Sequence, residues 1–160
     1  MKCCSWIVVG VALAATGSAA HAQLPDSKIL TLDVARSIAE EAMAQCHSHG
    51  YRISVLVVDA LNEPKFMLRD DGAPAVTAEV VKMTAAMAMI YNNPSAPGPG
   101  ASPDGVSQSF VDGTMKARGA VPIKVGQATI GAVAVDGAPK RDDDVACATA
   151  ALAKLADRLK

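Results

Sequence analysis

Few side chains in this sequence of 160 residues are suited to chemistry, and they fall in two places. The first is Cys46-His47-Ser48-His49, where a neutral imidazole is a ready ligand for iron. Two residues apart on a helix, the histidines project roughly 200° from one another, so they serve one ion together only if the helix end frays. The plainer reading is a pair of solvated residues at a helix C-terminus, where partial positive charge is favourable. The second place is Arg69-Asp70-Asp71-Gly72. A guanidinium grips a carboxylate through two parallel N–H bonds, and Asp70 or Asp71 beside it is placed to move a proton. Its plainer reading is a turn capped by aspartates, with Arg69 in a surface ion pair contributing about 0–1 kcal/mol.

Other polar features are weaker. Gly119, Gly131 and Gly137 would let a ligand approach backbone N–H groups, but such glycines more often serve turns and strand packing. Asp142, Asp143 and Asp144 lack the interleaved ligands of a calcium loop and read as caps on a helix start. There is no Ser-His-Asp order with supporting motifs, no phosphate loop, no dinucleotide fingerprint and no zinc spacing. Hydrolase, kinase and dehydrogenase readings therefore have no residues to rest on.

The elements that must position these side chains follow from periodicity. From Thr31, a suitable N-cap, Leu32, Ala35, Ile38, Ala39, Ala42, Met43 and Cys46 recur at helical spacing, with Gly50 as the stop. The two histidines fall in its last turn. Tyr51 to Asp59 is dense in β-branched residues and predicts a strand buried on both faces. Asn62-Glu63-Pro64 turns the chain into a second strand, Lys65 to Arg69. A helix is predicted from about Thr77 to Tyr91, using Val80, Val81, Thr84, Met87, Ala88 and Tyr91. From Asn92 to Gly119 the composition shifts to Pro, Gly, Ser and Asp, and Pro94, Pro97, Pro99 and Pro103 exclude continuous helix or central strand. Val121–Val125 and Ala128–Val135 form a hairpin across Gly126-Gln127, a pair suited to a type II′ turn. The last helix, about Asp143 to Leu159, carries Val145, Ala148, Leu152, Leu155 and Leu159 on one stripe. Helices alternating with hairpins predict an α+β sandwich, an antiparallel sheet covered by helices.

Composition sets further bounds. At this length one domain is expected, and the formal charge of −1 with no basic stripe excludes the electrostatic footprint of nucleic-acid or anionic-membrane binding. With 3% aromatic residues, a large flat ligand would have to be held by aliphatic walls and a few polar groups. Lys2, the apolar run Trp6 to Ala15 and Ala20-His21-Ala22 read as a secretory leader cleaved before Gln23, so residues 1–22 are the leader and 23–160 the domain. A periplasmic or secreted location follows, with no membrane attachment after cleavage. Cys46 and Cys147 are then the remaining thiols in an oxidising compartment, which invites one disulfide. Two small apolar fillers on separate helices would look the same.

Four segments in order, Val57-Val58-Asp59, Arg69-Asp70-Asp71-Gly72-Ala73, Gly119-Ala120-Val121-Pro122-Ile123 and Gly131 through Asp136-Gly137-Ala138-Pro139, resemble the GlcG/HbpS-like haem-binding family, to which the C-terminal domain of PduO-type corrinoid adenosyltransferases is related. The likeness spans roughly residues 30 to 160. Ala120 stands where the family pattern has a second Gly, and Asp136 where it usually has Ser. The resemblance implies a profilin-like or roadblock-like arrangement, a homo-oligomer, and haem as cofactor; His47 or His49 is then the candidate iron ligand that the residues themselves offer. It also implies a pocket bordered by Arg69, Asp70 and Gly72 on one side and by Gly137, Ala138 and Pro139 on the other. Covalent haem is excluded, because Cys46-His47 is not a C-x-x-C-H motif. Haem capture, sensing or degradation is one expectation. A binding module or enzyme for a small hydroxy or keto acid, anchored by Arg69, is a second, and a protein acting through oligomeric contacts and the loop 92–119 is a third.

Overall fold

In the computed structural model, residues 27–95, 110–111, 114–115 and 119–160 are described. The leader 1–22 and most of the loop 92–119 lie outside them. The Thr31 side chain accepts the Val34 N–H at 3.3 Å and so starts α1, Leu32–His47. Strand β1 is Ser54–Asp59 and β2 is Pro64–Arg69. Helix α2 is Ala75–Tyr91. Two-residue strands β3, Phe110–Val111, and β4, Thr114–Met115, pair with each other as a small ribbon inside the stretch read from sequence as loop. Strands β5, Ala120–Val125, and β6, Ala128–Asp136, precede α3, Arg141–Lys154, and a short 3-10 turn at Ala156–Arg158.

Four strands form one antiparallel sheet in the order β2-β1-β6-β5. The alternation of side chains along a strand assigns the two faces. Val55, Val57, Ile123, Val133 and Val135 pack with Ala35, Ile38 and Ala42 of α1 and Ala148 and Ala151 of α3. Leu56, Val58, Ala120, Ala132 and Ala134 pack with Val81, Ala85 and Ala88 of α2. The result is three layers, α1 and α3 on one side of the sheet and α2 on the other. Burying each Val or Leu side chain contributes about 1.5–3 kcal/mol, so the central β1–β6 pair carries much of the stability. Gly131 permits that pair to close, because a Cβ there would stand 2.2 Å from the Val58 carbonyl oxygen.

Local sequence explains the connections. Gly126 has φ +59° while Gln127 does not enter the left-handed region, the sign pattern of a type II′ turn. Pro122 is tolerated because β5 lies at the sheet edge. Ser95 partly closes that edge: its N–H donates to Ala120 O and its Oγ accepts the Ala120 N–H, both at 2.9 Å.

The last helix differs from its sequence pattern. It ends at Lys154, and of the expected stripe Ala148 is buried and Leu152, Leu155 and Leu159 pack against the core, while Asp144, Cys147 and Ala151 are buried beside them and Val145 lies outside the cluster. With many alanines on α3, hydrophobic spacing is nearly uniform around the helix, and packing against α1 selects the face. Tyr91, expected on the buried face of α2, is 59% exposed.

Helices α1 and α3 are covalently joined. Cys46 and Cys147 form a disulfide with Cα atoms 5.5 Å apart, both residues inside the core. Lys154 with Glu41 at 2.8 Å and Arg158, in the turn after α3, with Asp33 at 2.5 Å add ion pairs within the same layer. The bridge spans 101 residues, so the chain-entropy relation predicts that a Cys46→Ala, Cys147→Ala double variant loses about 4 kcal/mol in urea unfolding. Equal midpoints for parent and variant would contradict it.

Candidate functional site

The register brings the two sequence-predicted loops to one end of the sheet. Ser54 pairs with Arg69 on one side and with Asp136 on the other, so Arg69 and the start of Gly137-Ala138-Pro139 are separated by two strand spacings, about 10 Å. The space between them is filled by backbone. At Gly137, φ is +127° and an added Cβ would lie 2.5 Å from Arg52 O and 2.9 Å from Ile53 Cα. This glycine lets the loop cross close over the entry to β1.

Arg69 is committed to its own turn. Its Nη1 donates to Ala73 O at 2.6 Å, the Ala73 N–H donates to Asp70 O at 3.1 Å, and Gly72 takes φ +86° to complete the bend. Asp70 faces inward. Its Oδ2 lies 2.5 Å from His47 Nε2 and accepts the Ile53 N–H at 3.4 Å, while its own N–H donates to Ile53 O at 3.0 Å. Asp71 is exposed. His47, Asp70 and Arg69 are therefore parts of one structural knot joining the end of α1, the entry to β1 and the exit from β2.

The aspartates at the start of α3 do not cap it as their positions suggest. Lys140 occupies the N-cap without a side-chain bond, and Asp144 turns back into the protein, where its Oδ1 accepts the Ala138 N–H at 3.0 Å. Asp144 is fully buried and its Oδ2 has no hydrogen-bond partner among the described residues. Burial pushes its carboxyl up to about 7, helped by the neighbouring Asp143 and opposed by the Ala138 N–H and Arg141. Arg141 itself pairs with Asp136, the residue at the end of β6. Pro139 is exposed and Ala138 half-buried above this polar layer.

His49 is separated from His47 because α1 stops between them. The helix ends at His47, and Gly50, at φ +77°, reverses the chain with its N–H on His47 O at 2.9 Å. The His49 ring stacks on Tyr51 with centroids 5.6 Å apart and planes 26° apart. Tyr51 O–H in turn donates to Asp143 Oδ2 at 3.3 Å. A cavity of about 170 Å³ lies between His49, Tyr51 and Asp143 and the α3 residues Ala146, Cys147 and Ala150. On the other flank of α3, Pro94 and Ser95 face Val145, Thr149 and Ala153 across a groove of about 700 Å³, which Ala146 and Ala150 also line.

Sequence reasoning missed Tyr51, Asp143 and this groove. The signal was a second stripe on α3, Val145, Ala146, Thr149, Ala150 and Ala153, whose spacing marks a continuous face but whose small side chains barely register as apolar. Among the described residues no three His, Cys, Asp or Glu side chains converge as a metal cage, and no helix is long and apolar enough to cross a membrane.

Comparison with known proteins now bears on this arrangement. The profile of the family described as "Haem degrading protein HbpS-like" matches residues 30–153. The chain belongs to the HbpS-like family. A double mutant of HbpS from Streptomyces reticuli is 27% identical, covers 92% of this chain and 98% of its own, and superposes with a TM-score of 0.71. A second HbpS structure is 28% identical over 83% of this chain and 94% of its own, again at 0.71. A PduOC–haem complex, 18% identical with 79% and 94% coverage and a TM-score of 0.67, shares the fold. No curated protein matches at a significant level. The HbpS-like chain thus has the α+β fold the motif order implied, and the HbpS-like segment ends within α3, so both flanks of that helix lie inside it.

Asp144 gives a test of the polar layer. Its folded-state pKa of about 7 stands above the ordinary carboxyl value of 3.8, so ionisation is harder in the folded protein. Stability attributable to this group is then highest below about pH 4, falls as pH rises toward 7 and is level above it. Asp144→Asn keeps an acceptor for the Ala138 N–H and removes the charge. The variant is expected to gain stability over the parent progressively from pH 4 to 7, by roughly 1.4 kcal/mol for each step of one in pH. Urea unfolding across that range checks it, and parallel pH profiles would refute it.

Proposed function

We propose that this protein is exported and binds haem outside the cytoplasm, in capture, sensing or degradation, with His49 as the iron ligand. The observation that carries the reading is membership of a family described by haem degradation, over a span that contains His49, Tyr51 and α3. A second support is the PduOC–haem complex, a haem-bound protein whose fold this chain shares.

The residues present suit the group. A groove of about 700 Å³ lies within the 300–1,000 Å³ of ordinary small-molecule sites, and its walls are chiefly aliphatic. The choice between the two histidines follows from their partners. His47 offers Nε2 to Asp70, which leaves Nδ1, the nitrogen beside Cβ and the more hindered one for a porphyrin iron. His49 is exposed, stacked on Tyr51 and borders a cavity on α3. Bound haem supplies an iron centre whose reactivity its axial ligand and surroundings tune. The chain supplies an imidazole steadied by an aromatic face, a largely aliphatic wall interrupted by Ser95, Asp142 and Thr149 and, in Asp143, a carboxylate that holds the phenol of Tyr51.

Export is supported by the leader pattern of residues 1–22 and by the Cys46–Cys147 bridge, a bond that persists in oxidising compartments. Self-association into a homo-oligomer belongs to the same reading and rests on the family resemblance; a monomer mass by light scattering would remove it. Haemin titration of the purified protein is expected to shift the Soret band to saturation at one equivalent. His49→Ala is expected to abolish the ligand-field change and weaken binding at least tenfold, with His47→Ala close to parent. No Soret shift in the parent, or equal shifts in both variants, would contradict the assignment.

A further inference from the structure

We propose that the ligand lies across the outer face of α3, with Ala146 and Ala150 forming a low saddle between the groove on one flank and the His49 cavity on the other. This rests on the haem-binding reading and adds to it a location and two residues that decide access.

The groove and the cavity are lined by different residues except for Ala146 and Ala150. Residues four apart on a helix stand one above the other on the same face, so these two form the crest of α3 between its flanks. Each ends in a methyl group. Any longer side chain at either position would raise a wall across the crest, whereas two alanines leave it open along a full helical turn. A planar macrocycle resting there meets aliphatic atoms of Val145 and Ala153 on the wide flank, and its other edge faces His49 on the narrow one.

The narrow flank is rigid for a reason independent of the ligand. Cys147 lines it and is bonded to Cys46, one residue before His47, so the segment carrying His49 and Tyr51 is tethered to α3 at the level of the cavity. Tyr51 O–H on Asp143 ties the same segment to the first turn of α3. The segment that bears the imidazole is thereby held beside the crest by one covalent link and one hydrogen bond. Small residues at the crest are also not required by the core, since Ala146 is exposed and Ala150 half-buried, while Ala148 and Ala151 face the sheet.

The experiment is haemin titration, read at the Soret band, of the parent, Ala146→Phe and Ala150→Phe. Val76→Phe, at an exposed site on α2 across the sheet, serves as control. Far-UV circular dichroism and the absence of free thiols establish that each variant is folded with its bridge intact, and Ala150→Leu replaces any phenylalanine variant that fails this. The expected result is at least tenfold weaker binding with either bulky crest residue and parent affinity for Val76→Phe. Parent affinity in both bulky variants overturns the placement while leaving haem binding standing. No Soret shift in the parent overturns the haem reading and the placement with it.

Discussion

The bond between Cys46 and Cys147 is the constraint on which the functional end of the molecule depends. Helix α1 and helix α3 are far apart in sequence and lie on the same face of the sheet, where their contact surfaces are mostly alanine. Alanine against alanine allows close approach but gives little directional preference, because methyl groups interlock weakly. A covalent link at one level of the two helices fixes their relative slide. Everything after α1, including His49 and its stacking partner Tyr51, inherits its position over α3 from that level.

The sheet supplies the second frame. Gly119, Gly131 and Gly137 are points where backbone passes against backbone, the first between the start of β5 and β6, the second between β6 and β1 and the third between the exit loop and the entry to β1. Because Gly137 lets the exit loop lie against Arg52 and Ile53, that end of the sheet becomes a packed polar layer in which Asp70 holds His47 and Arg141 holds Asp136. The layer leaves Arg69 spanning its own turn. The acid-rich and glycine-rich motifs that look like chemistry in the sequence thus stabilise the end of the fold, and an alanine ridge that looks inert borders both openings.

Legibility in the sequence followed the strength of local periodicity. Helix α1, the buried strand β1 and the β5–β6 hairpin were readable because β-branched runs, caps and a Gly-Gln turn each have one local solution. The α+β class followed from their order. The buried face of α3 was readable only in part: Ala148, Leu152, Leu155 and Leu159 meet the core as their spacing implied, but Asp144, Cys147 and Ala151 rather than Val145 complete that face, because α1 and the bridge at Cys147 choose the register. Asp144 was read as a cap because three consecutive aspartates at a helix start usually face solvent, and only the tertiary position of Ala138 turns one of them inward. The split between His47 and His49 was likewise tertiary: one finds Asp70, the other finds Tyr51, and neither partner is adjacent in sequence.

The proposed haem site lies on the α3 side of the molecule. The most direct test is a crystal of the haemin-loaded protein with anomalous scattering recorded at the iron edge. Iron within coordination distance of His49, over the crest of Ala146 and Ala150, is the expected result. Iron beside His47 and Asp70, or on the α2 face of the sheet, would contradict it.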